Sequence, residues 1–135
     1  MSERIVFYQL SHKFVDDRAD IPENARQVVY YALAIGHHIG VMDCFASLME
    51  IPCPEFERWV GRLPAGTVRR KLEGVLKWGE IEITHHHAGE LLPVLEGALP
   101  QMDAAEAGWA ARLASSARQM LAEPALYLMV RRRAA

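Results

Sequence analysis

Three segments of the chain carry the apolar patterns that are typical of β-strands. Residues 4–10 are rich in β-branched and aromatic side chains, and residues 80–84 alternate polar and apolar positions, which predicts a half-buried strand. Residues 125–132 begin with a continuous apolar run, which predicts a strand covered on both faces. The chain is therefore expected to form a sheet of about three strands.

The other apolar positions repeat mostly at helical spacing. Residues 20–38 open with a capping Asp and a first-turn Pro and continue as an amphipathic stripe, which predicts a long helix. A short helix is expected at residues 43–49, because Asp43 suits an N-cap and Pro52 breaks the pattern. Further helices are predicted to begin at Pro54 and Thr67 and to cover residues 91–99 and about 102–121, with residues 85–88 as a link.

This order of elements predicts one α+β domain spanning residues 1–135, with helices packed on a small, mainly antiparallel sheet. The chain is 51% hydrophobic and 24% charged, which is a globular composition. Its net charge of -2 argues against a general nucleic-acid binder. No signal peptide and no apolar run long enough to cross a bilayer is visible, so a cytoplasmic location without membrane insertion is expected.

Histidines are the first candidates for metal chemistry. His85, His86 and His87 stand in a row, and imidazoles bind nickel and zinc well. Consecutive residues of an extended chain point in alternating directions, however, so solvated loop histidines are the simpler interpretation. His37 lies near the end of the long helix, where it either interacts with the helix C-terminus or forms a polar contact for a partner. Nickel handling by the histidine clusters remains the alternative function.

Motifs for catalysis are missing from the sequence. There is no phosphate-binding glycine loop, no dinucleotide fingerprint, no G-x-S-x-G and no H-E-x-x-H. Cys44 and Cys53 lack the spacing of a zinc or iron–sulfur site, and both are expected to be reduced thiols. The residues thus favour a binding module without a cofactor or catalytic residue. Nickel handling is the second hypothesis, and a small cofactor-site enzyme is the third.

Four blocks of sequence carry a resemblance, and they follow one another along the chain as residues 6–14, 28–44, 69–81 and 127–132. As a combination they resemble the formate hydrogenlyase maturation protein family of the HycH/HyfJ type. In that family a tyrosine is expected at the position of Trp78, so an aromatic contact is retained here and a hydroxyl-dependent one is lost. The histidine triplet is not a feature of the resemblance.

The resemblance implies a cytoplasmic accessory protein that assists maturation of a membrane-associated [NiFe]-hydrogenase. Its partner would be the unprocessed large subunit of that enzyme, whose C-terminal processing belongs to a separate protease. This agrees with the lack of catalytic motifs in the sequence.

A protein-binding surface is the hypothesis that unites these observations. It comprises the cations Arg69, Arg70 and Lys71 together with Trp78, Glu80 and Tyr127, with His37 as a second candidate. The cations would meet acidic groups of the client, and the two aromatic side chains would supply buried contact area.

Overall fold

The computed structural model describes residues 3–10 and 45–134 of the chain. Its strands are β1 (Glu3–Leu10), β2 (Phe45–Pro52), β3 (Glu80–Ile83) and β4 (Leu128–Ala134). They form one four-stranded sheet in the order β2-β1-β4-β3, and each neighbouring pair is antiparallel. The α+β prediction is confirmed, with one strand more than expected.

In the described region, two helices lie between β2 and β3, and two more lie between β3 and β4. They are α1 (Cys53–Val60), α2 (Thr67–Trp78), α3 (His85–Ala98) and α4 (Ala104–Ala122), with a short 3-10 turn at Leu99–Gln101. Within the described ranges, no helix is both long and apolar enough to cross a membrane. The helix predicted at residues 20–38 lies outside the described residues.

Strand β2 replaces the short helix that was predicted for residues 43–49. Met49 and Ile51 are buried and Glu50 between them is exposed, which is the alternation of a strand with one face on the core. Met49 lies opposite Phe7, and Ile51 lies opposite Ile5. Pairing with β1 buries these side chains and outweighs the local helix signal, which rested on Asp43, itself outside the described ranges.

Helix α3 begins earlier than the sequence predicted. Residues 85–88 are its first turn and not a link, because Thr84 caps the helix and His87 completes the capping box. Pro93 lies within α3 on an exposed side, and the residue four positions before it is Gly89, also exposed. The carbonyl group that loses its partner at Pro93 can therefore bond to water, and the helix continues to Ala98.

The two central strands are covered on both faces. Ile5 and Phe7 of β1 belong to the main core, and Val6 between them is also buried, although it points to the opposite face. In β4, the consecutive residues 128–130 are all buried. This confirms the prediction of a doubly covered last strand.

An aromatic cluster joins the sheet to α1 and α4. The ring centroids of Phe7 and Phe56 lie 6.2 Å apart, and Trp59 packs edge-on against both rings. Trp109 of α4 extends the cluster, with its centroid 5.8 Å from that of Trp59. Tilted and edge-on pairs at this spacing are the favoured geometry for aromatic rings, so the cluster fixes α1 and α4 relative to β1.

Candidate partner-binding surface

The three consecutive cations of α2 differ in their surroundings. The Arg69 guanidinium donates to the carbonyl oxygen of Leu63 at 3.2 Å and lies 3.5 Å from the Glu73 carboxylate. Arg69 therefore holds the connection before α2 in place. Arg70 is exposed and Lys71 is half-buried. These two residues carry the charge that this segment presents to its surroundings.

Trp78 at the end of α2 is the most exposed large hydrophobic side chain of the described region, at 70% exposure. Its ring packs against the helix at Gly74, where a Cβ atom would lie only 2.9 Å from the Trp78 Cζ3 atom. The Lys77 ammonium lies over the same ring, 5.1 Å from a ring centroid. The indole is thus exposed but held on two sides. A partner that binds it therefore causes only a small loss of side-chain conformational entropy.

Helical spacing places Lys71 on the same side of α2 as Trp78, and Arg70 on the same side as Lys77. Each pair is seven residues apart, which is nearly two turns at 3.6 residues per turn. We refer to these four residues as the α2 stripe. It retains Arg70, Lys71 and Trp78 from the predicted surface. It adds Lys77, which the sequence analysis missed and which its i, i+7 spacing from Arg70 could have revealed.

The end of α2 is fastened to β4. Gly79 closes the helix in the left-handed conformation at φ 86°, and its carbonyl oxygen accepts the Arg132 backbone N–H at 2.9 Å. The Arg132 guanidinium also donates to the carbonyl oxygen of Leu76 in the last turn of α2. Glu80 follows directly and pairs with Arg131 at 3.0 Å. Glu80 therefore lies next to the α2 stripe, with its carboxylate engaged by β4.

Tyr127 occupies a different part of the molecule. It is half-buried and packs against the core just before β4, where Leu128 lies opposite Ile83. Arg131, which lies opposite Glu80, is four residues further on, a distance of ~13 Å along an extended chain. Tyr127 is thus near one end of β3 and the α2 stripe near the other. His37, the second candidate, lies outside the described residues.

A groove lies between α2 and α3 on the Lys71 side of α2. Its volume is about 330 Å³. The residues that line it are Val68, Leu72, Ile83 and Leu91, which are apolar, and Thr67, Arg70, Lys71, His87 and Glu90, which are polar or charged. We refer to this feature as the α2–α3 groove, and it is continuous with the α2 stripe through Arg70 and Lys71.

The histidine triplet forms the first turn of α3. The rings of His85 and His86 pack at a tilt of 37° with centroids 3.9 Å apart, and His87 Nδ1 accepts the Thr84 backbone N–H at 3.0 Å. Burial lowers the pKa of His87, and the nearby Lys71 lowers it further. Across residues 3–10 and 45–134, no three His, Cys, Asp or Glu side chains are grouped so that they could hold a metal ion. His37 and His38, which also belong to the nickel alternative, lie outside the described residues.

The Cys53 thiol shows no sign of activation. Burial raises its pKa, and the Glu3 carboxylate raises it further, against an opposing effect of Arg132. The thiol form is therefore favoured over the reactive thiolate. Cys44 lies outside the described residues.

Comparison with known proteins shows the family to which this chain belongs. The family model "Formate hydrogenlyase maturation protein HycH" matches residues 4–132. The chain belongs to the HycH family. The formate hydrogenlyase maturation protein HycH of Escherichia coli K12 is 44% identical over 133 residues, which cover 98% of each chain. Hydrogenase-4 component J of the same strain is 39% identical over 131 residues, covering 95% of this chain and 93% of that protein.

The HycH match covers every described helix and all but the outer ends of β1 and β4, so the α2 stripe and the α2–α3 groove lie inside the region shared with the family. No solved structure matches this chain.

Proposed function

We propose that this chain is a cytoplasmic assembly factor that binds the unprocessed large subunit of a [NiFe]-hydrogenase during maturation of a formate hydrogenlyase-type complex. Membership of the HycH family supports the maturation role. The role proposed is binding without catalysis and without a cofactor. The observation that supports binding is the α2 stripe, in which an exposed but fixed indole is flanked by three cations.

Each part of the α2 stripe has a distinct task in this proposal. Arg70, Lys71 and Lys77 attract acidic groups of the client over a distance and speed the encounter. Trp78 supplies the apolar contact that keeps the complex together, as tryptophan does at the centre of many interfaces. Because its ring already lies against Gly74, binding does not require the indole to be ordered first.

Replacement of Trp78 tests the proposal. Trp78→Ala is expected to weaken binding of the purified unprocessed large subunit about tenfold or more, whereas Trp78→Tyr keeps an aromatic contact and loses less. Stability should change little, because the side chain is 70% exposed. Titration calorimetry gives the affinities, and circular dichroism confirms that the variants are folded.

The matched control is Leu121→Ala, which removes another exposed hydrophobic side chain, on α4 and 48% exposed. It should bind like the unmodified protein. Equal affinities for Trp78→Ala and the unmodified protein would show that the α2 stripe is not the binding surface. Equal binding of the processed and unprocessed large subunits would contradict the proposed preference for the precursor.

A further inference from the structure

The α2–α3 groove has an apolar floor that belongs to the domain core. Val68, Leu72, Ile83 and Leu91 contribute it from two helices and a strand, and all four are buried. Its volume of about 330 Å³ is at the small end of the range for ligand pockets, which is roughly 300–1,000 Å³. The floor is rigid because its residues are packed into the core on their other sides, so it suits an aliphatic side chain.

Two polar pairs of residues mark the two ends of the groove. At one end, the Thr67 hydroxyl donates to the Glu90 carboxylate at 2.9 Å. At the other end, Lys71 is close enough to His87 to lower the pKa of the imidazole. Lys71 follows Thr67 by one helical turn, and His87 precedes Glu90 by about one turn, so the two helices run antiparallel across the groove. The groove thus has an acidic end and a cationic end about 6 Å apart.

The cationic end is prepared to accept a carboxylate. His87 Nδ1 already accepts the Thr84 backbone N–H at 3.0 Å, so the proton of the neutral ring belongs on Nε2, which remains as a donor. Arg70 and Lys71 both line the groove, Arg70 as an exposed and Lys71 as a half-buried side chain. An incoming carboxylate would meet two cations and one N–H donor there, while Glu90 of the same groove and Glu82 act on His87 in the opposite direction to Lys71.

We propose that the α2–α3 groove binds a short segment of the client polypeptide in which an acidic residue adjoins an aliphatic one. The aliphatic side chain lies on the floor formed by Val68, Leu72, Ile83 and Leu91. The carboxylate bonds to the Lys71 ammonium and the His87 Nε2–H, and a backbone N–H of the segment faces Glu90. The inference rests on the proposed function, since it names the part of the client that this site selects.

A polypeptide fits these observations better than a free organic acid. The groove is continuous with the α2 stripe, where Trp78 lies nearly two turns beyond Lys71 on the same side of the helix. A chain that leaves the cationic end of the groove therefore reaches a second apolar contact. A free acid would use the groove alone and leave the stripe uncovered.

Selection from a phage-displayed peptide library tests the groove independently of any client. The immobilised protein is expected to enrich peptides with Asp or Glu beside Leu, Ile or Val, and Lys71→Glu should bind synthetic versions of them about tenfold more weakly or worse. Arg112→Glu makes the same charge change at an exposed position of α4 and should leave binding unchanged. Failure to enrich such peptides, or equal binding by Lys71→Glu, would overturn the inference.

Two further measurements separate the possible failures. If 4-methylpentanoate binds in the groove as tightly as the peptides by NMR titration, the site is one for small carboxylic acids and the polypeptide inference is wrong. If the unprocessed large subunit binds the unmodified protein and Lys71→Glu equally well, only the groove inference fails. If the large subunit binds neither, the proposed function fails and the peptide selection decides the groove by itself.

Discussion

Glu106 combines two stabilising roles in this fold, as the partner of two arginines and as part of a helix cap. Its side chain is fully buried on α4, yet it lies 3.7 Å from the Arg58 guanidinium and 3.4 Å from that of Arg62. Its other role is local, because it accepts the Asp103 backbone N–H at 2.9 Å and completes the capping box of α4. The capping box can be read from the spacing of Asp103 and Glu106. The pairing with Arg62, 44 residues away, cannot, because it depends on how α1 and α4 pack.

Glu106→Ala is expected to lower the free energy of unfolding by about 2 kcal/mol, because its ion pairs with two half-exposed arginines and a helix cap are lost together. Glu106→Gln keeps a hydrogen-bond acceptor for the cap and should have a smaller effect. Urea unfolding followed by circular dichroism measures both. If both variants stay within about 0.5 kcal/mol of the unmodified protein, the paired carboxylate does not stabilise the fold.

At the scale of elements, the sequence predicted those whose signals are local. The alternation of β3, the apolar run of β4 and the first-turn Pro54 of α1 each lie within a few residues, and the structure confirms all three elements. The prediction at residues 43–49 was wrong because Asp43 favoured a helix, whereas β2 is stabilised by pairing with β1. The early start of α3 was missed because His87 takes the capping position where Glu or Gln is more common.

This unusual cap should make α3 sensitive to acid. Burial and Lys71 lower the pKa of His87 in the folded chain, below the value of about 6.5 expected when it is unfolded. The stabilising effect of the neutral ring is therefore complete above that value and is lost as the pH falls through the interval between the two pKa values. Protonation would also place a proton on Nδ1 and remove the acceptor for the Thr84 N–H.

His87→Gln keeps an acceptor at the capping position and removes the titrating group. Relative to the unmodified protein, it should gain stability as the pH is lowered from about 7.5 to 5.5. The measurement is the difference in unfolding free energy across this range, with His85→Gln, in the same first turn of α3, as the control. A difference that does not change with pH for His87→Gln would rule out this titration as the cause of acid sensitivity.

At the scale of the whole molecule, the architecture was predictable and the grouping of the surface was not. Periodicity gave an α+β fold, and the resemblance gave the family, because both depend on signals spread along the chain. The grouping of the surface residues could be seen only in the three-dimensional structure. Trp78 and Lys71 lie on the same side of α2, whereas Tyr127 lies near the other end of β3, and the groove exists only because α3 packs beside α2. Spacing along one helix is visible in sequence, but contact between helices is not.

The central position of β4 predicts an all-or-none dependence on the last strand. A chain that ends at Tyr127 leaves β1 and β3 without the strand that joins them, so it should show no cooperative unfolding transition. A chain that ends at Arg132 keeps Val130, which pairs with both Phe7 and Ile81, and should remain folded with reduced stability. Thermal unfolding measures both, and a native-like transition in the shorter chain would contradict the expectation.

The order of the sheet also has a consequence for synthesis in the cell. β1 is made first and β4 last, yet they are neighbours at the centre of the sheet. A nascent chain therefore carries unpaired strand edges on β1 and β3 until β4 has left the ribosome, and such edges readily pair with other chains. We expect this member of a maturation-protein family to depend on general chaperones during that interval, and to aggregate when translation stalls before the last strand.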